Sequence, residues 1–238
     1  MCPASHEPWF HRVAAALPSR CAVCGAWPSQ PVCRTCIATF VQALPRCRRC
    51  ALPVPQGVEA CGACLRKPPP LAACLVAVPY AYPWSGLITR FKFQSQPGWA
   101  ATFARLLATH AQLPGVLGPA DHVLPMPLAP ERLAERGFNQ ALEIARRLHP
   151  ARTDANLLLR VRATAPQASL SLRERQHNVK GAFAVDPLRA HELRGKHAVL
   201  VDDVMTSGAS LHAAAQVLHE AGAGSVSALV FARTDEPG

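Results

Sequence analysis

The stretch Ala198-Val-Leu-Val-Asp-Asp-Val-Met-Thr-Ser-Gly-Ala-Ser210 decides how the rest of the chain reads. Its opening residues are apolar without alternation, which suits a strand buried on both faces of a parallel sheet. Two carboxylates close the run, a small hydroxyl-rich turn follows, and Leu211, Ala214, Ala215 and Leu218 then stand at helical spacing. Strand, loop and helix in this order have a chemical meaning. Amide N–H groups of Thr206, Ser207, Gly208, Ala209 and Ser210 at the start of a helix point at an anion, and the helix dipole favours negative charge there. Gly208 allows close approach of a phosphate. The hydroxyls of Thr206, Ser207 and Ser210 add donors, while Asp202 and Asp203 can accept from the 2′- and 3′-hydroxyls of a ribose. The plainer alternative is a strand end followed by a helix cap.

Outward from that stretch, short β-like runs alternate with helical periodicity from Ala72 onward, the pattern of an α/β fold with a largely parallel sheet. Strands are expected at Ala73 to Val78, His122 to Leu124, Leu157 to Val161, Ala198 to Val204 and Ser225 to Ala232. Ala141, Ile144, Ala145 and Leu148 define a helix face between them, and Gly222 and Gly224 stop the last helix before the final strand. Both helix faces read as core.

The N-terminal part reads differently. Cys21-x2-Cys24, Cys33-x2-Cys36, Cys47-x2-Cys50 and Cys61-x2-Cys64 follow one another closely. A two-residue gap in a tight turn lets both sulfurs face one ion, and two such knuckles complete a tetrahedral site with Zn–S near ~2.3 Å. Sequential pairing puts one zinc on Cys21, Cys24, Cys33 and Cys36 and a second on Cys47, Cys50, Cys61 and Cys64. A cross-braced arrangement fits the same spacing, although the eight- and ten-residue loops between sequential partners favour the former. Four thiolates leave no open coordination position, so the zinc is expected to be structural. Cys74 reads as a core residue. The segment Arg66-Lys67-Pro68-Pro69-Pro70 reads as a stiff linker, which divides the chain into a double zinc ribbon domain, residues 1–67, and an α/β domain, residues 72–238.

The phosphate-loop stretch resembles the signature of the type I phosphoribosyltransferases, with Ser207 and Ser210 where threonine is frequent. The resemblance continues upstream. Val123-Leu-Pro-Met-Pro-Leu-Ala-Pro-Glu-Arg-Leu-Ala-Glu-Arg-Gly-Phe-Asn-Gln140 is similar to a hallmark of the ComF family of competence-associated, phosphoribosyltransferase-like proteins. So are Thr164-Ala-Pro-Gln167, Ser171-Leu-Arg-Glu-Arg175, Asn178, Gly181-Ala-Phe183, Tyr80 and Phe91-Lys-Phe93, and together with the cysteines the likeness covers nearly the whole chain. It implies a type I phosphoribosyltransferase-like parallel-sheet domain that takes 5-phosphoribosyl-1-diphosphate (PRPP) or a related ribose phosphate together with Mg. It further implies a diphosphate loop around Pro125 to Arg132, with Arg132 and Arg136 as candidates for the diphosphate, since arginine forks match phosphate oxygens in pairs. The basic stretch from Arg160 to Lys180, carrying Gln167, Arg173, Arg175 and Asn178, would correspond to a closing loop that excludes water. Surface ion pairing, for example Arg132 with Glu135, is the competing use for these arginines.

Three roles follow. The first is ribosyl transfer from PRPP to a nitrogen nucleophile, though no residue run identifies the acceptor. The second is a PRPP-binding protein of DNA uptake or processing that engages single-stranded DNA, with Arg46, Arg48 and Arg49 on the zinc module and with Phe91, Phe93 and Trp99 available for base stacking. Core packing is the alternative use of those aromatics. The third is a zinc-ribbon adaptor for a partner such as a competence helicase.

Charge is compatible with polyanionic partners. The formal net charge is +10, which two tetrathiolate zinc ions would lower to about +6. Residues 1–67 hold eight Lys/Arg against two Asp/Glu, residues 125–180 ten against five, and residues 181–238 four against seven. A solvated basic surface would give the same numbers. The longest apolar run, Leu71 to Tyr82, is broken by Pro79 and falls short of the ~20 residues of a membrane span. The apolar patch Val13 to Leu17 is too short for a secretory core. A cytoplasmic protein without membrane insertion is expected.

Overall fold

The computed structural model describes residues 19–162, 179 and 181–235. They fall into two compact units, one ending at Gln42 and one running from Ala43 onward. The first unit contains helix α1 (Arg34–Phe40), whose N-cap Cys33 accepts from the Cys36 amide, and an antiparallel bridge between Ser19 and Ser29. Its buried residues are Cys21, Val32 and Cys36. So small an interior requires a crosslink, which a metal ion held by Cys21, Cys24, Cys33 and Cys36 would supply.

The second unit runs α2 (Gly62–Arg66), β1 (Ala73–Pro79), α3 (Trp84–Phe93), α4 (Trp99–Ala108), α5 (Leu113–Leu117), β2 (His122–Pro125), α6 (Pro130–Arg136), α7 (Gln140–Leu148), β3 (Leu158–Arg160), β4 (Phe183–Val185), β5 (His197–Met205), α8 (Ala209–Glu220) and β6 (Ser225–Arg233). Four strands form a sheet in the order β1-β6-β5-β2. Every neighbouring pair is parallel, so all four C-termini meet at one edge. Nearly all of β6 is buried, as a strand covered on both faces must be.

Residue parity sorts the two faces. Cys74, Val76, Leu200, Ala228 and Val230 pack with Leu211, Ala214, Ala215 and Leu218 of α8. On the opposite face Phe231 meets Trp84 edge-on at 5.9 Å and stacks on Phe103 at 3.9 Å. Burying each such aromatic contributes roughly 2–3 kcal/mol, which anchors α3 and α4 to the sheet.

Four of the five expected strands lie in this sheet. The fifth, around Leu157 to Val161, does not join it. It forms β3 and pairs antiparallel with β4, laying Leu157, Leu158 and Phe183 over α8. Three residues of β4 are too short to display a period, so the pairing was not readable in advance. The packing also runs across the proline segment. Leu71 and Ala51 share a buried cluster with Cys74 and Met205, and the Cys74 amide donates to the Arg48 carbonyl at 2.7 Å. The second cysteine group therefore lies in the same compact unit as the sheet, whereas the expected division fell at residues 67–72.

Candidate functional site

The loop from Thr206 to Gly208 leaves β5 at the C-terminal edge of the sheet and enters α8. Gly208 is the N-cap of α8 at φ 82° and contributes no side chain to the first-turn amides; a helix start without a capping side chain offers amides that can receive an anion. A Cβ on Gly208 would lie 2.4 Å from the Met205 methyl, and the left-handed backbone there already favours glycine. Inside the turn, the Ala209 amide donates to Ser207 Oγ at 3.4 Å.

Asp202 and Asp203 are adjacent in a strand and so leave it on opposite faces. The sequence treated them as equivalent sugar ligands; their surroundings differ. Asp203 is 5% exposed, its Oδ1 takes an ion pair from Lys92 Nζ of α3 at 2.9 Å, and its Oδ2 is buried with no hydrogen-bond partner. Asp202 is half-buried and accepts from the Asp203 amide at 2.9 Å. Burial, with the neighbouring Asp203 charge next, pushes the Asp202 carboxyl up to about 7, although Lys92 and Arg136 pull the other way.

Both acids line an open cleft that also collects Lys92, Arg132, Arg136, Arg160 and Ser210. The local sequence explains how the arginines reach it. β2 stops at Pro125, Pro130 begins α6, Gly137 at φ 76° ends it, and Asn139 caps α7 by accepting from the Leu142 amide at 3.2 Å. The Asn139 side-chain amide also donates to the Met126 carbonyl, tying the loop after β2 to α7. Arg136 donates to Gln140 Oε1 at 2.8 Å, lies 5.2 Å over the Phe93 ring and has a buried Nε without a partner. Burial lowers its pKa and Asp203 is the largest opposing influence. Among the described residues no ion pair joins Arg132 to Glu135.

Lys92 and Arg160 also line the cleft, although the sequence offers Lys92 only as a basic neighbour of candidate stacking aromatics and Arg160 only as the first residue of a basic closing stretch. Arg160 sits at the end of β3, 5.4 Å over the Phe183 ring, and only the β3–β4 pairing directs it to the cleft. Gln167, Arg173, Arg175 and Asn178 lie outside the described residues.

The eight knuckle cysteines gather as Cys21, Cys24, Cys33 and Cys36, and as Cys47, Cys50, Cys61 and Cys64, with all sulfurs of each group within 4.8 Å of one another. The pairing is sequential. Zinc at ~2.3 Å from four sulfurs requires S–S edges near ~3.8 Å; Cys21–Cys36 measures 3.8 Å, Cys24–Cys33 3.7 Å and Cys50–Cys61 3.7 Å. Backbone amides of Cys33 and Cys61 donate to the sulfurs of Cys21 and Cys47 at 3.3 Å, orienting the ligands. Burial raises the Cys21 and Cys47 thiols, but these and neighbouring amides more than offset it, leaving them at about 6 and about 7. The donor sets fit structural zinc.

Comparison with known proteins agrees with this geometry. A phosphoribosyl transferase domain model matches residues 133–237 and a double zinc ribbon domain model matches residues 13–65. The DNA utilization protein YhgH of Escherichia coli K12 is 37% identical over 180 residues, spanning 73% of this chain and 77% of its own. Competence protein F of Haemophilus influenzae is 34% identical over 167 residues, 68% and 72% of the two chains. The chain belongs to the ComF family. A solved structure, of TT1426 from Thermus thermophilus, aligns at 23% identity over 59% of this chain and 74% of its own with a TM-score of 0.30, an overlap that adds nothing to the fold assignment.

Within this ComF chain two surface readings need correction. Phe91 and Trp99 are buried at 0% and 9% exposure and pack against Phe103, so they offer no stacking face; Phe93 remains exposed. Arg46 is not on the outer surface of the ComF zinc ribbon, since it pairs with Asp235 at 2.8 Å with its side chain only 12% exposed. Arg48 is exposed. No helix of the described residues is long and apolar enough to cross a membrane.

Proposed function

We propose that this ComF-family protein binds PRPP at the C-terminal edge of its sheet. The 5′-phosphate sits on the amides and hydroxyls of Thr206, Ser207, Gly208, Ala209 and Ser210, the ribose hydroxyls on Asp202 and Asp203, and the diphosphate toward Arg132 and Arg136. The observation that carries the reading is the single cleft holding both acids, Ser210 and both arginines, at the strand edge where open α/β sheets bind ligands. The orphaned Oδ2 of Asp203 suits a sugar hydroxyl as its missing donor. Mg fits as a companion of the diphosphate. A cation that keeps several waters and takes one or two carboxylates with substrate phosphates is compatible with Asp202 and Asp203. When bound it would neutralise diphosphate charge.

The relatives are named for competence and DNA utilization, and the basic balance of the chain supports an encounter with a polyanion. The proposed setting is therefore the cytoplasmic handling of single-stranded DNA during uptake, with the zinc ribbon as the surface for a helicase partner.

Calorimetric titration of the zinc-loaded chain with PRPP and Mg tests the binding. Saturable heat that disappears in Gly208→Ala is the expected result. Heats no larger than dilution at millimolar PRPP would overturn the assignment. Diphosphate release across a panel of nucleobases, measured in parallel, separates transfer from binding.

A further inference from the structure

Arg233 closes β6 and is 3% exposed. Its Nη1 donates to the Thr206 carbonyl at 2.9 Å, placing the guanidinium against the phosphate loop, and its Nε is buried without a hydrogen-bond partner. Among the described residues no carboxylate forms an ion pair with it; the nearby Asp235 is taken by Arg46. A guanidinium cannot shed its charge, so a buried one requires a counter-charge.

Packing leads from Arg233 to the second cysteine group. Met205 is the register partner of Arg233 across the sheet, and the Thr234 amide donates to the Met205 carbonyl at 3.1 Å. Cys74 Sγ lies 3.7 Å from Met205 Sδ. Ala51, the residue after zinc ligand Cys50, is buried in the same cluster as Cys74 and Met205. Arg46 spans the junction, donating to the Ala51 carbonyl and to Asp235, both at 2.8 Å. Burial lowers the pKa of Arg233, and Cys50 is the largest influence opposing it. Cys74, held up to about 12 by burial, stays a neutral thiol and cannot serve.

We infer that the zinc centre of Cys47, Cys50, Cys61 and Cys64 supplies the counter-charge of Arg233, and that Arg233 in turn fixes the Thr206 carbonyl and the shape of the phosphate loop. A zinc tetrathiolate carries a net charge of −2, and its low-dielectric surroundings leave that charge little screened. Arg233 is thus a positioning residue that links metal occupancy to the loop. Coupling of the zinc to sugar-phosphate affinity follows as well, and that consequence rests on the loop being the phosphate site.

The test uses the full chain carrying Cys24→Ser, which leaves the second centre as the only complete tetrathiolate, and reads two quantities: the rate of zinc transfer to a chromogenic chelator and hydrogen exchange of the amides of residues 206–210. Arg233→Met is expected to speed zinc transfer at least tenfold, and Arg233→Lys, which keeps the charge, to stay within about twofold of the parent. In the parent, chelation of zinc should accelerate exchange at residues 206–210 at least tenfold before amides within β6 respond. Equal zinc transfer from the Met and Lys variants, or loop exchange indifferent to chelation, would overturn the inference. Should Arg233→Met fail to fold, the parent and Arg233→Lys still decide it through the chelation experiment. Titration with PRPP separates the two readings: a loop that responds to zinc in a chain that binds no PRPP upholds the link and removes the phosphate assignment. PRPP binding unchanged by chelation, with a loop equally unchanged, removes only the link.

Discussion

Replacing Lys92 by Met would strip Asp203 of its ion-pair partner while leaving the carboxylate in place. Nζ and Oδ1 are 2.9 Å apart, with side chains 18% and 8% exposed. At an effective dielectric near 20 two unit charges at that separation attract by roughly 6 kcal/mol, an upper figure because desolvation of both groups opposes it. Removing one partner of a fully buried pair costs about 3–5 kcal/mol. Solvent reaches Lys92 in part, so about 2–4 kcal/mol is expected here. For a chain of this size that lowers the melting temperature by roughly 5–15 °C. The double variant Lys92→Met/Asp203→Asn removes the stranded charge and should recover part of the loss, giving a coupling energy of about 2 kcal/mol in a double-mutant cycle. Urea unfolding of the zinc-loaded protein at pH 7.5 provides the four free energies. A single variant within about 0.5 kcal/mol of the parent, or strict additivity of the two changes, would refute the view that this pair is a coupled, partly desolvated unit.

Gly208→Ala should destabilise by roughly 2–4 kcal/mol, combining left-handed backbone strain with the encounter at the Met205 methyl; equal thermal stability of variant and parent would contradict the loop geometry. Asp202, raised from 3.8 to about 7, binds its proton more tightly folded than unfolded. Its contribution to stability is fully present below the unfolded value and is lost as pH rises through about 7. Asp202→Asn should therefore flatten the decline in unfolding free energy between pH 5.5 and 7.5, and parallel pH profiles for parent and variant would count against the burial argument.

The strand–loop–helix of Ala198 to His219 was legible because each part is a local signal: an unbroken apolar run, a glycine turn and a 3.6-residue period need no knowledge of distant residues. The knuckles were legible as metal ligands for a similar reason, since two-residue spacing fixes where paired sulfurs point. Their sequential partnership, favoured by loop length alone, became definite only when the sulfurs stood at tetrahedral edge distances. Arg132 and Arg136 could be nominated through family resemblance, yet only the turn at Gly137 and the tie from Asn139 to Met126 show how they reach the cleft.

Other features depend on strand order. Lys92 meets Asp203 because α3 packs on the face of the sheet to which the odd-numbered residue points, and parity sends Asp202 to the other. Arg160 reaches the cleft only through a ribbon whose second strand is three residues long. Arg233 stands just past the expected last strand, Ser225 to Ala232, and carries no reading there; the β1-β6-β5 order buries it beneath the loop. Sequence sets what each segment can become because backbone periodicity and ligand spacing are short-range, whereas which charges lose their water is set by segments far apart in the chain, and that decides here which acid is paired and which cation needs the zinc.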